Sequence, residues 1–247
     1  MLQSIKRSVS GLVAQVNRLA AIGGNIANVQ TAGHKRQAGT FSELLVQSLD
    51  QQSVPLTGVQ GGFVHGAEYR PETVFSQGDL LPTGRALDIA LVGNGMIELH
   101  DANEQVVFAR GGSFSLDAAG RLVHSSGALV PGVVIDPRAQ VIDIDVLGVV
   151  TFSVDGAVNE GGRLRVIGFM NPAGLDHLGE LLFVPSANSG EPIPDSSVVK
   201  QGFLEASNVS LLEEMTSLVR AQRVYQANAT ALRTLDEMWE RSTDLRR

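Results

Sequence analysis

Two long apolar seams, one at each end of the chain, constrain the fold more than any other feature. In the first thirty residues Leu2, Ile5, Val9, Leu12, Val16, Leu19, Ile22, Ile26 and Val29 recur at spacings of three and four. That is a nearly unbroken coiled-coil seam on a helix whose other faces carry Gln3, Lys6, Gln15 and Arg18. Gly23 and Gly24 weaken this helix near its end, and Thr31-Ala32-Gly33 supplies a stop. Near the other terminus Leu211, Met215, Leu218, Gln222, Tyr225, Ala229, Leu232, Asp236 and Trp239 repeat the same period. Ser210 and Glu213 form a capping-box pattern at its start, and Arg241, Arg246 and Arg247 oppose the helix dipole at its end. A second helix of about eight turns is expected there.

Between the seams the texture changes to short alternating runs punctuated by glycine. Examples are 87–92, 105–109, 141–146 and 163–167, with turn signals at 93–95, 117–120, 155–156 and 160–162. Many short strands at this spacing point to an antiparallel sandwich or barrel-like domain. The fold class expected is therefore α+β, a mainly-β centre flanked by long terminal helices that pair as a coiled-coil-like layer. The expected organisation is an N-terminal helix over 1–36, a connector over 37–69, a β-rich domain over 70–202 and a C-terminal helix over 203–247. Residues 46–66, rich in Gln, Ser, Gly and Pro, read as a mobile linker within that connector.

Charge divides the chain in the same places. Residues 1–42 carry five basic side chains and no acid, the last forty balance six against six, and 43–207 carries −12, for a net −7. The basic stretch is short and seamed with apolar residues, so packing explains it better than nucleic-acid binding. No apolar run is long enough to span a membrane. Gln15, Asn17 and Arg18 interrupt any signal-peptide core, so no cleaved signal is expected.

The chemistry on offer is thin. The absence of cysteine removes disulfides, thiolate metal sites and a cysteine nucleophile together. His34, His65, His100, His124 and His177 fall at no metal-ligand spacing and read as surface or loop side chains. Gly93-Asn94-Gly95 begins like a dinucleotide fingerprint but lacks the third glycine and sits in a hairpin context. Asp143 and Asp145, alternating with isoleucine, read as a solvated strand face rather than a cation or acid–base site. No catalytic residue, cofactor or metal is expected, and the chain does not read as an enzyme. Two alternatives stay open: a soluble binding module with a permanent helical hairpin, and an enzyme whose site is built from scattered Asp, Glu and Arg.

Four stretches then carry a resemblance. Asn25-Ile26-Ala27-Asn28-Val29-Gln30-Thr31-Ala32-Gly33-His34-Lys35-Arg36 resembles the N-terminal signature of the bacterial flagellar rod and hook proteins, with His34 where that family usually has Phe or Tyr. Ser76-Gln77-Gly78-Asp79-Leu80 through Thr83-Gly84-Arg85-Ala86-Leu87-Asp88-Ile89-Ala90 is similar to the family's opening of its β domain. Arg110-Gly111-Gly112-Ser113-Phe114 with Gly120-Arg121-Leu122-Val123 is similar to its R-x-G-x-F hairpin. Gln201-Gly202-Phe203-Leu204-Glu205-Ala206-Ser207-Asn208-Val209, with Glu214-Met215, Gln222-Arg223 and Tyr225, is similar to its C-terminal signature. Arg36 to Leu44 and 174–180 favour the distal rod; the length of 247 and the short connector also fit the proximal rod.

The resemblance implies a structural subunit of the flagellar basal-body rod that polymerises helically through its terminal helices. It implies self and other rod and hook subunits as partners, export by the flagellar type III machinery, and no nucleic acid or membrane insertion. The expected assembly interface is Leu12, Val16, Leu19, Asn25, Ile26, Asn28 and Gly33 on the N-terminal side. On the C-terminal side it is Leu211, Met215, Leu218, Gln222, Tyr225 and Leu232. Asn25 and Asn28 are expected to bond exposed backbone where the helix ends, and Gly33 to permit the turn out of it.

Overall fold

The computed structural model describes residues 2–47, 63–179 and 181–244. These divide into two compact units: 1–27, 37–72 and 210–247 form one, and 28–36 with 73–209 form the other. In the helical unit, α1 (Leu2–Ala27) and α2 (Leu211–Asp244) are the long helices expected at the seams. The Ser210 carbonyl accepts the first turn's bond from Glu214 N at 3.0 Å, so α2 starts where the capping pattern places it. The expected connector holds structure of its own. The strands β1 (Gln37–Gln47) and β2 (Phe63–Thr73) pair with each other, and the centre of the expected linker, 48–62, lies outside the described residues. Gly39 fits there because a Cβ would strike the ring of Tyr69, at 2.6 Å from its nearest atom.

The β unit is mainly antiparallel sheet. Its strands are β3 (Leu80–Pro82), β4 (Asp88–Val92), β5 (Met96–His100), β6 (Val106–Ala109), β7 (Gly111–Leu116), β8 (Arg121–His124) and β9 (Leu129–Val134). There follow β10 (Val141–Ile144), β11 (Val149–Val154), β12 (Ala157–Arg163), β13 (Val166–Gly168), β14 (Asp176–Gly179) and β15 (Leu182–Val184). The last are β16 (Ile193–Pro194), β17 (Val198–Gln201) and β18 (Phe203–Glu205). The main path runs β14-β15-β6-β5-β9-β8-β7-β4-β17, and β18 pairs separately with β3. The two last strands therefore return to the two first, at β4 and β3.

Period-two alternation explains the core. On β5, Ile97 and Leu99 join the larger apolar cluster with Leu91, Phe114, Leu122 and Val150, while Met96 points to the other face. On β6, Val107 and Ala109 face the larger cluster and Phe108 the smaller, which also holds Leu175 and Phe183. These central strands are buried on both faces, so they read as apolar runs rather than clean alternations. Each such side chain contributes about 1.5–3 kcal/mol by leaving water. On β10, Ile142 and Ile144 turn inward while Asp143 and Asp145 are exposed, which is the solvated face expected.

Several local expectations are corrected. Gly93-Asn94-Gly95 is not a hairpin turn, because β4 pairs with β7 and β17 while β5 pairs with β6, β9 and β13. Glu160-Gly161-Gly162 is not a turn either. It lies inside β12, where the register against β11 shifts between Val150 and Thr151 and Gly161 is the unpaired bulge residue. The run 163–167 is broken at Leu164 and Arg165, because β12 pairs with β11 and β9 before it and β13 with β5 and β16 after it. His34 and His124 are buried rather than superficial; His124 stacks its ring edgewise on Phe114 at 5.2 Å.

Candidate assembly site

Three charged side chains that the sequence places 75 and 95 residues apart meet inside the β unit. Lys35 Nζ donates to Glu205 Oε1 at 2.6 Å, and Arg110 Nε donates to Glu205 Oε2 at 3.2 Å. All three side chains are shut off from solvent. Lys35 also donates to the Ser76 carbonyl at 2.9 Å, and Gly78 N donates to Glu205 Oε1 at 2.8 Å. Arg110 Nη1 donates to the Gly95 carbonyl at 2.6 Å, and Nη2 to that of Gly93. Both oxygens of the Glu205 carboxylate are thus engaged by a cation, and the backbone carbonyls of Ser76, Gly93 and Gly95 accept the further bonds from Lys35 and Arg110. Burial pulls the Lys35 ammonium below the usual lysine range, Glu205 partly offsets that, and Arg110 adds repulsion.

The node gives the glycine loop a different chemistry from the one its spacing hints at. A phosphate cradle needs free backbone N–H groups. Here Gly93 N donates to Gln77 Oε1 at 3.3 Å and Gly95 N to Ser197 Oγ at 2.8 Å, while the carbonyls hold a guanidinium. Gly78 lies where a Cβ would overlap the Ala206 carbonyl oxygen, so the chain can approach this closely only with glycine.

Asn208 makes a second clasp beside the node. Its Oδ1 accepts from Arg36 N at 2.7 Å, and its Nδ2 donates to the Val74 and Ser76 carbonyls at 2.8 and 3.0 Å. Gly33 N donates to the Glu205 carbonyl at 2.7 Å, with Gly33 at φ +78°. The four motif stretches therefore converge on one place, and the segment 28–36 is fastened to the strand that precedes α2. Sequence reasoning quoted Lys35, Arg110, Glu205 and Asn208 within motifs but assigned them no role. The available signal was a charged or amide side chain embedded in each stretch, without any hint of which met which.

The expected interface residues fall into two groups. In the helical unit α1 and α2 pack together, with Asn25 near the end of α1 donating to Glu214 Oε2 in the first turn of α2 at 3.3 Å, so the helices run antiparallel. Asn25 also exchanges two 2.8 Å bonds with the Gln37 backbone. Asn28 takes part in a local turn, accepting Thr31 Oγ1 at 3.2 Å. Among the described residues those buried on the helices are Ala14, Gln15, Ala21, Ile22 and Asn25 on α1, where Ala14 and Ala21 pack with Tyr69 of β2, and Glu214 and Ala221 on α2. Apart from Ile22, the bulky seam residues are less enclosed. Leu12, Leu19, Ile26, Leu218 and Leu232 are half-buried, and Val16, Leu211, Met215, Gln222 and Tyr225 are exposed. Val9 and Val13 on α1 and Leu212 and Val219 on α2 are exposed as well.

Among the described residues no group of three or more His, Asp or Glu is placed to hold a metal ion, and no helix is long and apolar enough to cross a membrane.

Comparison with known proteins decides between the families of helical and β proteins this arrangement could serve. Over 96% of the chain it is 34% identical to the flagellar basal-body rod protein FlgG of Agrobacterium fabrum, covering 97% of that protein. The chain belongs to the flagellar rod and hook protein family. Family models for the flagellar basal body rod FlgEFG protein C-terminal and the flagellar hook protein FlgE/F/G D1 domain match residues 200–245 and 90–152. The FlgG proteins of Buchnera aphidicola subsp. Schizaphis graminum and Bacillus subtilis are 32% and 31% identical over 99% and 100% of the chain, each matched along its whole length. The hook protein FlgE of Rhizobium meliloti is 33% identical over 69% of the chain but only 41% of its own length. Within the rod and hook proteins the match is thus to the rod protein FlgG, the distal-rod side of the family.

Proposed function

We propose that this chain is a structural, non-catalytic subunit of the distal flagellar rod, polymerising helically by packing its terminal helices against those of neighbouring copies. The single observation that carries the reading is the exposed apolar seam. Within the helical unit Ile22 is buried and Ala14 and Ala21 pack with Tyr69 of β2, while the seam residues Val16, Met215 and Tyr225 stay exposed, at 49%, 53% and 37%. Repeating one such head-to-tail contact without closure builds an open helical filament. The helices then form an inner coiled-coil-like layer, with other rod and hook subunits meeting the same surfaces at either end of the stack. Export through the flagellar type III machinery, without a cleaved signal, and a place in the rod where it crosses the periplasm complete the proposal.

The absence of native cysteine makes the test direct. With Val16→Cys and Met215→Cys introduced singly and together, oxidation of the assembled protein should give intermolecular disulfide ladders from the pair. Equal ladders from the Ser153→Cys variant in the β unit, or none from any seam pair, would contradict the proposal.

A further inference from the structure

The strongest unassigned feature is a buried imidazole in the segment fastened at the node. His34 is 7% exposed, next in sequence to Lys35, and its Nε2 finds no hydrogen-bond partner among the described residues. The segment around it is held by Gly33 N on the Glu205 carbonyl and Arg36 N on Asn208 Oδ1, at 2.7 Å each, and by Lys35 on Glu205. His177 on β14, edge-on to Phe183 at 5.2 Å, is the titratable group that acts on its charge. Among the described residues the charged groups of the adjoining node are Lys35, Arg110 and Glu205, which sum to one positive charge and leave that carboxylate fully engaged. An imidazolium here would need an acceptor at each ring nitrogen, and none stands at Nε2 among the described residues.

We propose that His34 is a pH-sensitive peg: segment 28–36 stays docked on the β unit while the imidazole is neutral and is loosened when it takes up a proton. Burial first, and His177 second, hold the His34 pKa below the ordinary histidine value of 6.5. His177 is shifted the same way by burial. The unfolded or undocked chain therefore binds a proton before the docked one does. Docking is unaffected above about pH 6.5 and weakens as pH falls below it, by at most about tenfold per pH unit for one extra proton bound by the undocked state.

The test uses the full-length chain and two readouts. Hydrogen exchange at the Gly33 amide, corrected for the intrinsic pH dependence, is followed at pH 7.5 and 5.5 in the native protein and in His34→Phe, which fills the site with an uncharged ring. Protection should fall at pH 5.5 in the native chain by several-fold more than in H34F. Because H34F could fold poorly, the His34 side chain is also titrated by NMR in the native protein, where it should protonate clearly below pH 6.5. Equal loss of Gly33 protection in both proteins, or a His34 midpoint at or above 6.5, would overturn the proposal.

Discussion

The two units of this chain differ in the core they build: both expose large apolar side chains, Val158 and Met170 in the β unit among them, but the large sealed cluster is in the β unit. In the β unit Ile89, Leu91, Ile97, Leu99 and Phe114 are essentially sealed from solvent. In the helical unit Val9, Val13, Val16, Leu211 and Met215 remain about half exposed, and the small buried cluster is Ala14, Ala21 and Tyr69. The β unit carries its own stabilisation, whereas the helices hold hydrophobic area in reserve for a partner. The same contrast extends to polar groups. The β unit spends a buried three-charge node on fastening its ends, while α1 carries Gly11, Gly23 and Gly24, at which a Cβ would meet nothing within 4 Å.

The sharpest way to break this contrast is to open the node. Glu205→Ala leaves Lys35 and Arg110 buried without their carboxylate and should destabilise the β unit by about 3–5 kcal/mol, read from urea unfolding followed by the amide NMR signals of β5 and β6. A loss near that of a surface substitution would mean the node is not closed in solution. Leu91→Ala should follow, at about 2–5 kcal/mol, in the same assay, since the strand it sits on is buried on both faces. Gly23→Ala acts on the other unit and in the other direction. It should raise helicity and stability by about 0.5–1 kcal/mol in the unassembled chain, measured by far-UV circular dichroism and thermal melting. Arg138→Ala removes a surface pair between the exposed Arg138 and the partly buried Asp136 and should leave the unfolding midpoint nearly unchanged.

The long elements were legible in the sequence because periodicity is a local signal. Heptad spacing located α1 and α2, and alternation located β4, β6 and β10 to within a residue or two at the edges. The two-residue turn at Asp155-Gly156 was equally plain, because both residues adopt positive φ, at 51° and 84°, as the tight hairpin requires. What escaped was whatever depends on partners distant in sequence. Gly161 and Gly162 carry the same composition whether they turn the chain or form a bulge, and only the register against β11 distinguishes the two. Gly93 and Gly95 show glycine spacing but not whether the loop offers amides or carbonyls. Lys35, Arg110 and Glu205 are ordinary charges until the fold brings 170 residues of separation to 2.6 Å. The seam residues were identified by spacing alone, yet spacing could not show that Ala14 and Ala21 pack with Tyr69 of β2 or that Ile22 is buried while Val16 is exposed.

The claim that the exposed seams drive assembly meets its most direct test in electron microscopy of the purified full-length protein beside Met215→Asp and Leu218→Asp. Met215 is the cleaner site because it is 53% exposed, so its change leaves the chain's own packing nearly intact. The expected result is helical stacks or tubes from the native protein and dispersed particles from both variants, with the β unit's amide NMR signals retained in the dispersed variants. Indistinguishable stacks from Met215→Asp, or loss of the β unit's fold along with assembly, would contradict the account.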